Sequence, residues 1–469
     1  MGDLRHDVTP GASSSVTEEL AEWIAGADFD DVPALAVRRV EERLLDSLGV
    51  QLGGVREPTA ERLRAWIARQ GAVPIASVVG TDLRTSPSFA ALANATAGGI
   101  LEFDDAAPFS GHPSNPLTAA TLAVGEALGR SGAEVVLAWL VGWELTARTS
   151  APCNTSSGHT LLNAGWHNEG FQTTLGVAAA AARLHDLDAS KTCHAIGIAA
   201  SSMGGMLRNR GTDAKWLHAG WAALHGVAAA ELAADGFTAD PGILDGPHGV
   251  IDLLAPGADP QGILEGLGRW ELAHSSSWLR LHSSCAAAHW AQDALMQLLR
   301  HRPTAADEIE AIDVELNGYL IDMLPYQHPV DANQARFSLG YALAVIVLDH
   351  QAGIDDFTDE RVARPEAQQL VARVRAHRAD GEAAAAGPYS RVSVLLRTGE
   401  RLEATVTVAH GSPEDPLTES ELSGKFRECA GRMLPAERLE VIVGMCNSIA
   451  SLPDVRTLMG LCSRSDTAP

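Results

Sequence analysis

Three carboxylates, Glu102, Asp104 and Asp105, close an apolar, helix-like run from Ala91 to Leu101. His112 follows seven residues after the last of them, in a stretch rich in Pro, Gly and Ser. Carboxylates pressed against apolar residues are costly unless they are paired or put to use. Histidine changes charge near neutral pH, so it can both take and give a proton. Loops held between rigid helices are where such groups tend to sit. The pattern points to acid–base chemistry around residues 102–116, with a solvated helix end and a surface histidine as the bland alternative. A metal site built on the Asp pair is disfavoured, because adjacent acids on a helix point in different directions.

Other candidates lie further on. Gly165-Trp166-His167 precedes an Ala-rich helical run beginning near Phe171. A helix N-terminus disfavours the charged form of a nearby histidine, which suits a proton acceptor. Lys215 is one of only three lysines, with Lys191 and Lys425. It opens a helix with Leu217, Trp221, Leu224, Ala228 and Leu232 at helical spacing. Such a lysine can hold a carboxylate or act as a perturbed acid or base, whereas a snorkelling surface lysine is the ordinary alternative. Arg280 is a candidate anion ligand. His282, Cys285 and His289 fall at spacings that could share a helix face, which resembles metal-ligand spacing but more often marks a polar turn before a packed helix. Gly204-Gly205-Met206 lacks the strand–glycine–helix context of a nucleotide loop, and there is no G-x-x-x-x-G-K-[ST]. No nucleotide cofactor or metal is expected.

These residues need a scaffold. Residues 16–266 read as helix after helix, with Leu35, Val37, Val40, Leu44, Leu45, Leu48 and Leu52 at three- and four-residue steps. Runs such as Gly176 to Ala182 allow helices to approach closely. After Gly266 the texture changes. Ile312, Val314 and Leu316 alternate as in a half-buried strand, and two alternating runs flank Thr398-Gly399-Glu400 as in a hairpin. Asn333–His350 and Glu366–His377 read as helical, Asp380–Pro388 as a loop, and helical periodicity returns over Glu419–Leu461. The expected fold is mainly α. A disordered N-terminus (1–15) precedes a large all-helical domain (16–266 and 412–469), and a smaller α+β lid domain spans 267–411.

The chain has 469 residues, 46% of them hydrophobic, and a net charge of -24. That balance, with no basic stripe, argues against nucleic-acid or anionic-membrane partners. Six scattered cysteines without C-x-x-C spacing read as reduced thiols. With no apolar leader and no run of 18 apolar residues, a cytoplasmic protein is expected.

The motifs together resemble the MmgE/PrpD family. They are Leu45-Asp46-Ser47-Leu48-Gly49; Ala93-Asn94-Ala95-Thr96 leading to Glu102-Phe103-Asp104-Asp105; His112-Pro113-Ser114; Gly142-Trp143-Glu144; Gly165-Trp166-His167; Lys215 to Gly220; Asp235 to Thr238; Gln334 to Ser338; and Lys425-Phe426. The resemblance implies a helical domain with an α+β lid, usually a homodimer, and a site between them that acts on small carboxylates without cofactor or metal. It implies catalytic roles for His112, His167, Lys215 and Glu102. It places Arg280, Cys285, Ala106, Asp105 and Met323 at substrate-binding positions. Glu102 stands where decarboxylase members carry Asp, Arg280 where they carry Lys, and Cys285 where they carry His. Ala106 and Met323 replace a Thr and a Tyr, removing two hydroxyls from the implied pocket. The expected activity is therefore dehydration or decarboxylation of a substrate other than 2-methylcitrate. Epimerase and non-catalytic family members are the alternatives. A magnesium-dependent terpene synthase, suggested by Phe103-Asp104-Asp105 alone, stands further off.

Overall fold

The computed structural model describes residues 14–107, 110–154, 161–380 and 387–464. Most of the segment expected to be disordered, and the centre of the 380–388 loop, lie outside the described residues. Ser15 falls inside them. It caps α1 (Val16–Gly26) in a reciprocal capping box with Glu18.

The helical part is built on α2 (Ala34–Gly54), α3 (Pro58–Ala68), α4 (Pro87–Ile100), α5 (Ser114–Leu128), α6 (Gly132–Ser150), α7 (Gln172–Leu184), α8 (Ala189–Ala200) and α9 (Asp213–Ala234). Polar caps set several starts: Ser86 for α4, Ser131 with Glu134 for α6, and Asp188 for α8. Small residues let the helices close on one another. A Cβ on Gly54 would lie 1.9 Å from the Ala97 carbonyl oxygen, so α2 and α4 cross at backbone contact there.

The same tightness decides which face of α9 is buried. The inward face is Ala219, Ala222, Ala223, Gly226, Ala229, Ala230 and Ala233, joined by Lys215 and His218. Trp216 and Val227 are buried as well, but two larger apolar residues turn outward: Trp221 is 47% exposed and Leu232 36%. The seam with α7 leaves no room for them, since a Cβ on Gly226 would lie 2.5 Å from Val177.

The smaller part carries a four-stranded sheet in the order β6 (Val374–Arg378), β5 (Ile309–Leu316), β7 (Ser390–Leu396), β8 (Arg401–Val406). Two-residue strands β1 (Ala76–Ser77) and β2 (Arg84–Thr85) pair within the helical part. Strands β3 (Asp105–Ala106) and β4 (Trp278–Leu279) pair Asp105 with Leu279 and Ala106 with Trp278. In the sheet, β5 (Ile309–Leu316) runs antiparallel to β7 (Ser390–Leu396), and β7 pairs with β8 (Arg401–Val406) through the expected hairpin. Gly399, at φ +85°, supplies the left-handed residue of that turn. Helices α10 (His289–His301), α11 (Leu339–Asp349) and α12 (Pro365–Val371) pack with the sheet in a second apolar core.

Two local expectations are corrected, and a third is met. The run Glu366–His377 is helical only to Val371; Val374–Arg378 is β6, parallel to β5. It is a mostly exposed edge strand, so it lacks the period-2 signal of a half-buried one. The run Asn333–His350 breaks at Arg336–Ser338, where Ser338 caps α11. His282 and Cys285 lie in the expected polar turn before a packed helix, and share no helix face with His289, because α10 begins only at His289. His282 instead meets Asp293 at 3.1 Å, and His289 meets the Ser284 carbonyl at 3.2 Å.

The chain then returns to the helical part. Helix α13 (Glu419–Ala430) lies against α2, with Phe426 and Cys429 facing Gly49 and Gly53. Helix α14 (Ala436–Cys446) follows, and its Leu439, Ile442 and Val443 join the main helical core.

Candidate active site

Helix α4 stops at Ile100, and Glu102 turns the chain with φ +48°. Glycine is the usual residue at such a helix end, and an L side chain there costs about 1–2 kcal/mol. The side chain placed by that turn is buried and ion-paired twice. Lys215 Nζ donates to Oε1, and Arg280 Nη1 donates to Oε2 at 2.6 Å. Burial raises the Glu102 pKa, but Lys215 and Arg280 more than offset it and hold the carboxyl well below its usual range. Strain stored at a buried ion-paired acid fits a functional position.

Arg280 follows β4 and is fully buried. Its Nε donates to the Asp104 carbonyl at 2.7 Å, its Nη1 also reaches the Ser284 carbonyl at 3.1 Å, and its Nη2 binds the Asp104 carboxylate. These bonds occupy the donors expected to hold substrate. The guanidinium works here as a brace between the acidic loop and the β4 segment. Lys425, from α13, fixes the same junction. Its Nζ pairs with Asp46 at 2.6 Å and donates to the carbonyls of Phe103 at 2.5 Å and Arg280 at 2.7 Å.

Asp105 is turned the other way. Its carboxyl receives the Ser114 N–H at 3.2 Å and the Ser114 hydroxyl at 2.7 Å, capping α5. Burial first, and Asp104 second, push its pKa up to about 7. Its carbonyl lies 2.6 Å from His112 Nδ1. A carbonyl only accepts, so His112 carries its proton on Nδ1 and presents the Nε2 lone pair. Burial, then Arg280, lower the His112 pKa, which favours the neutral, proton-accepting ring.

His167 faces it, with ring centroids 6.3 Å apart. Its backbone N–H is held by the Gly205 carbonyl at 2.9 Å. Gly205, at φ +147°, lies against the His218 ring, so the glycine pair serves close packing beside the site. His167 Nδ1 is 3.1 Å from His218 Nδ1 and 3.5 Å from Glu169 Oε2. Burial, then Lys215, hold His167 well below its usual pKa and bring His218 down to about 4.

Glu169 and His218 were not assigned roles from the sequence. His218 is three residues after Lys215, on the same side of α9, and that spacing was a readable signal. Nothing local marks Glu169, which enters only because the His167 turn packs against Gly111. Burial, with Asp104, Glu102 and Asp105 nearby, raises its pKa well above the usual range against the pull of Lys215.

The structure thus gathers Glu102, His112, His167, Lys215 and Arg280 around one buried cluster. Cys285 is buried beside it, its N–H donating to the Arg336 carbonyl at 2.8 Å. Burial, then Glu102, push its thiol up to about 11, so it stands as a neutral thiol. Ala106 lies in β3, packed with Trp278 and Ala409. Met323 is half-buried at the end of the short helix Gly318–Asp322 and packs on the sheet-side core. Asp104 and Asp105 are committed to Arg280 and Ser114, which removes the magnesium-binding reading of Phe103-Asp104-Asp105. Among the described residues, no group of three or more His, Cys, Asp and Glu side chains is placed to hold a metal ion. No helix among them is long and apolar enough to cross a membrane.

A large helical part, a smaller α+β part and a buried His/Lys/carboxylate cluster at β3–β4 define the class. The MmgE/PrpD N-terminal domain model matches residues 18–262 and the C-terminal domain model residues 282–448, so the chain belongs to the MmgE/PrpD family. Its relatives include the cis-aconitate decarboxylase of Mus musculus, 28% identical over 461 residues, covering 95% of this chain and 93% of the relative. The Homo sapiens cis-aconitate decarboxylase is 27% identical over 95% and 94% of the two chains. That of Aspergillus terreus is 26% identical over 96% of each.

Proposed function

We propose that this chain is a lyase of small carboxylic acids, working by side-chain acid–base chemistry without metal or organic cofactor. The observation that carries the reading is His112. Its Nδ1–H is fixed on the Asp105 carbonyl and its free Nε2 belongs to a ring facing His167. Lys215 lies beside both and seats the substrate carboxylate. In dehydration one histidine takes a proton next to that carboxylate; in decarboxylation the C–C bond supplies the electron pair and no proton is removed. The other histidine delivers a proton to the leaving hydroxyl, or to the carbanion left by lost carbon dioxide. Lys215 offsets the charge that develops in either case. Full-length similarity to cis-aconitate decarboxylases favours decarboxylation over dehydration. The altered residues Glu102, Ala106, Arg280, Cys285 and Met323 favour a substrate other than cis-aconitate or 2-methylcitrate. Incubating the EDTA-treated protein with citrate-, aconitate- and aspartate-derived acids, followed by mass spectrometry, tests this. Loss of carbon dioxide or water supports the lyase, and isotope exchange alone would replace it by an epimerase.

A homodimer is part of the same reading. Trp66 on α3 and Trp221 on α9 are exposed, Trp66 lies edge-on to Phe89 of α4, and Leu217 and Leu224, which flank Trp221 on its face of α9, are partly buried against the same apolar cluster as Phe89. Patches of this kind mark association surfaces. The Trp221→Glu variant is expected to elute and scatter light as a monomer where the parent is a dimer; an unchanged mass would remove this patch from the interface.

A further inference from the structure

Among the described residues, Glu169 is buried in the cluster with no lysine or arginine paired to its carboxyl. Lys215 pairs with Glu102, Arg280 pairs with Glu102 and Asp104, and Asp105 is held by Ser114. Glu169 Oε1 has no hydrogen-bond partner, and Oε2 faces His167 Nδ1 at 3.5 Å. The backbone holds the two residues in this relation. His167 N–H donates to the Gly205 carbonyl and Gly204 N–H to the Gly170 carbonyl, each at 2.9 Å. A Cβ on Gly170 would lie 1.7 Å from the Gly204 oxygen, so this turn is locked against residues 204–205. A buried carboxylate so placed gives up its charge by taking a proton. Burial favours that proton, Lys215 from α9 opposes it, and Asp104, Glu102 and Asp105 from the acidic loop favour it again.

A protonated carboxyl donates, and the acceptor facing this one is His167 Nδ1. His218 Nδ1 meets the same nitrogen at 3.1 Å. Burial first, then Lys215, keep the His167 ring neutral, so it carries one proton. With Nδ1 accepting, that proton is on Nε2, the reverse of His112, whose Nε2 is bare. We infer that Glu169 is a positioning residue: as a neutral acid it keeps His167 in the donating form and lends it a proton, which makes His167 the proton donor of the pair and His112 the acceptor. This rests on the lyase reading and divides its roles. In the favoured decarboxylation the C–C bond breaks, carbon dioxide leaves and the electron pair stays on the substrate carbon. That carbon takes the Nε2 proton of His167 while Nδ1 takes the Glu169 proton. Solvent then protonates Nε2 and Nδ1 returns its proton to Glu169, so one solvent proton is consumed for each carbon dioxide released.

The test has two arms, both on the full-length protein. In the first, NMR follows the carboxyl carbons of isotope-labelled glutamates and the ring nitrogens of labelled histidines. Loss of a signal in Glu169→Gln or His167→Gln assigns it. Glu169 is expected to be protonated at neutral pH, and His167 to carry its proton on Nε2. An ionised Glu169, or His167 protonated on Nδ1, would overturn the inference. In the second arm cis-aconitate is the probe acid, and slow turnover is enough because each readout is a ratio. The glutamine amide of Glu169→Gln keeps the volume and the hydrogen bond but has no proton to lend. Its kcat should fall about tenfold or more with KM little changed, and its melting temperature shows that it is folded. The parent should also lose activity as rising pH ionises Glu169, a loss absent from the variant. An unchanged kcat with an unchanged pH profile would overturn the inference. If the parent leaves cis-aconitate intact, that counts against the lyase reading, and the protonation states of the first arm still decide this one.

Discussion

Replacing His112 by glutamine is expected to lower turnover by about 10²-fold or more, with little change in melting temperature. The asymmetry follows from where the ring sits. Its structural duty is one hydrogen bond, Nδ1–H to the Asp105 carbonyl at 2.6 Å, at the partly exposed end of the cluster. A glutamine amide can donate that bond. What it cannot supply is a basic nitrogen on the far side of the ring. Parallel assays of turnover and thermal unfolding measure the two effects on one preparation. Near-full activity in this variant, and again in His167→Gln, would remove the histidines from the chemistry.

Replacing Lys425 by methionine should act in the opposite way, on stability first. Its ammonium meets the buried Asp46 carboxylate and two backbone carbonyls, and lies 4.1 Å from the Phe103 ring centre. Methionine keeps the packing volume and removes every one of those donors. Asp46 is then left buried and unpaired, and breaking such a pair costs about 3–5 kcal/mol. Denaturant unfolding reads this as a lower midpoint. The double variant Asp46→Asn/Lys425→Met should recover part of the loss, because the uncompensated charge is gone. A shift below about 1 kcal/mol, or no recovery, would mean that the contact does not brace the β3–β4 junction.

Much of this was legible in the sequence, because helical periodicity and the strand alternation of β5, β7 and β8 are local signals. The alternation over Ile312, Val314 and Leu316 falls in β5, and Gly399 turns the hairpin that its neighbours suggested. β6 was not legible. A short edge strand facing solvent has no pattern to display, and its parallel partner lies more than fifty residues away in the chain. The stripe Leu217–Trp221–Leu224 has the spacing of a core face, yet Trp221 is exposed and Leu217 and Leu224 only partly buried, because at Gly226 the seam between α7 and α9 has no room for a larger residue.

At the site, residue types announced His112, Lys215 and Glu102, but their duties were not readable. Whether Arg280 binds a ligand or braces a loop depends on where Glu102 and Asp104 lie after folding. Glu169 and Lys425 join the cluster through contacts made only in three dimensions, and Lys425 comes from a helix more than 300 residues beyond the loop it holds.

The central claim is that a metal-free histidine pair moves the proton of a carbon-centred reaction. It is tested most directly by running the reaction of the EDTA-treated protein in deuterium oxide, with the parent and His112→Gln side by side, and following product by NMR. The account predicts that the parent keeps full activity after EDTA and, in the favoured decarboxylation, places solvent deuterium at the carbon that lost its carboxylate. His112→Gln should form that product at least about 10²-fold more slowly. Activity that vanishes with EDTA and returns with a metal, or deuterium placed equally fast by the variant, would contradict it.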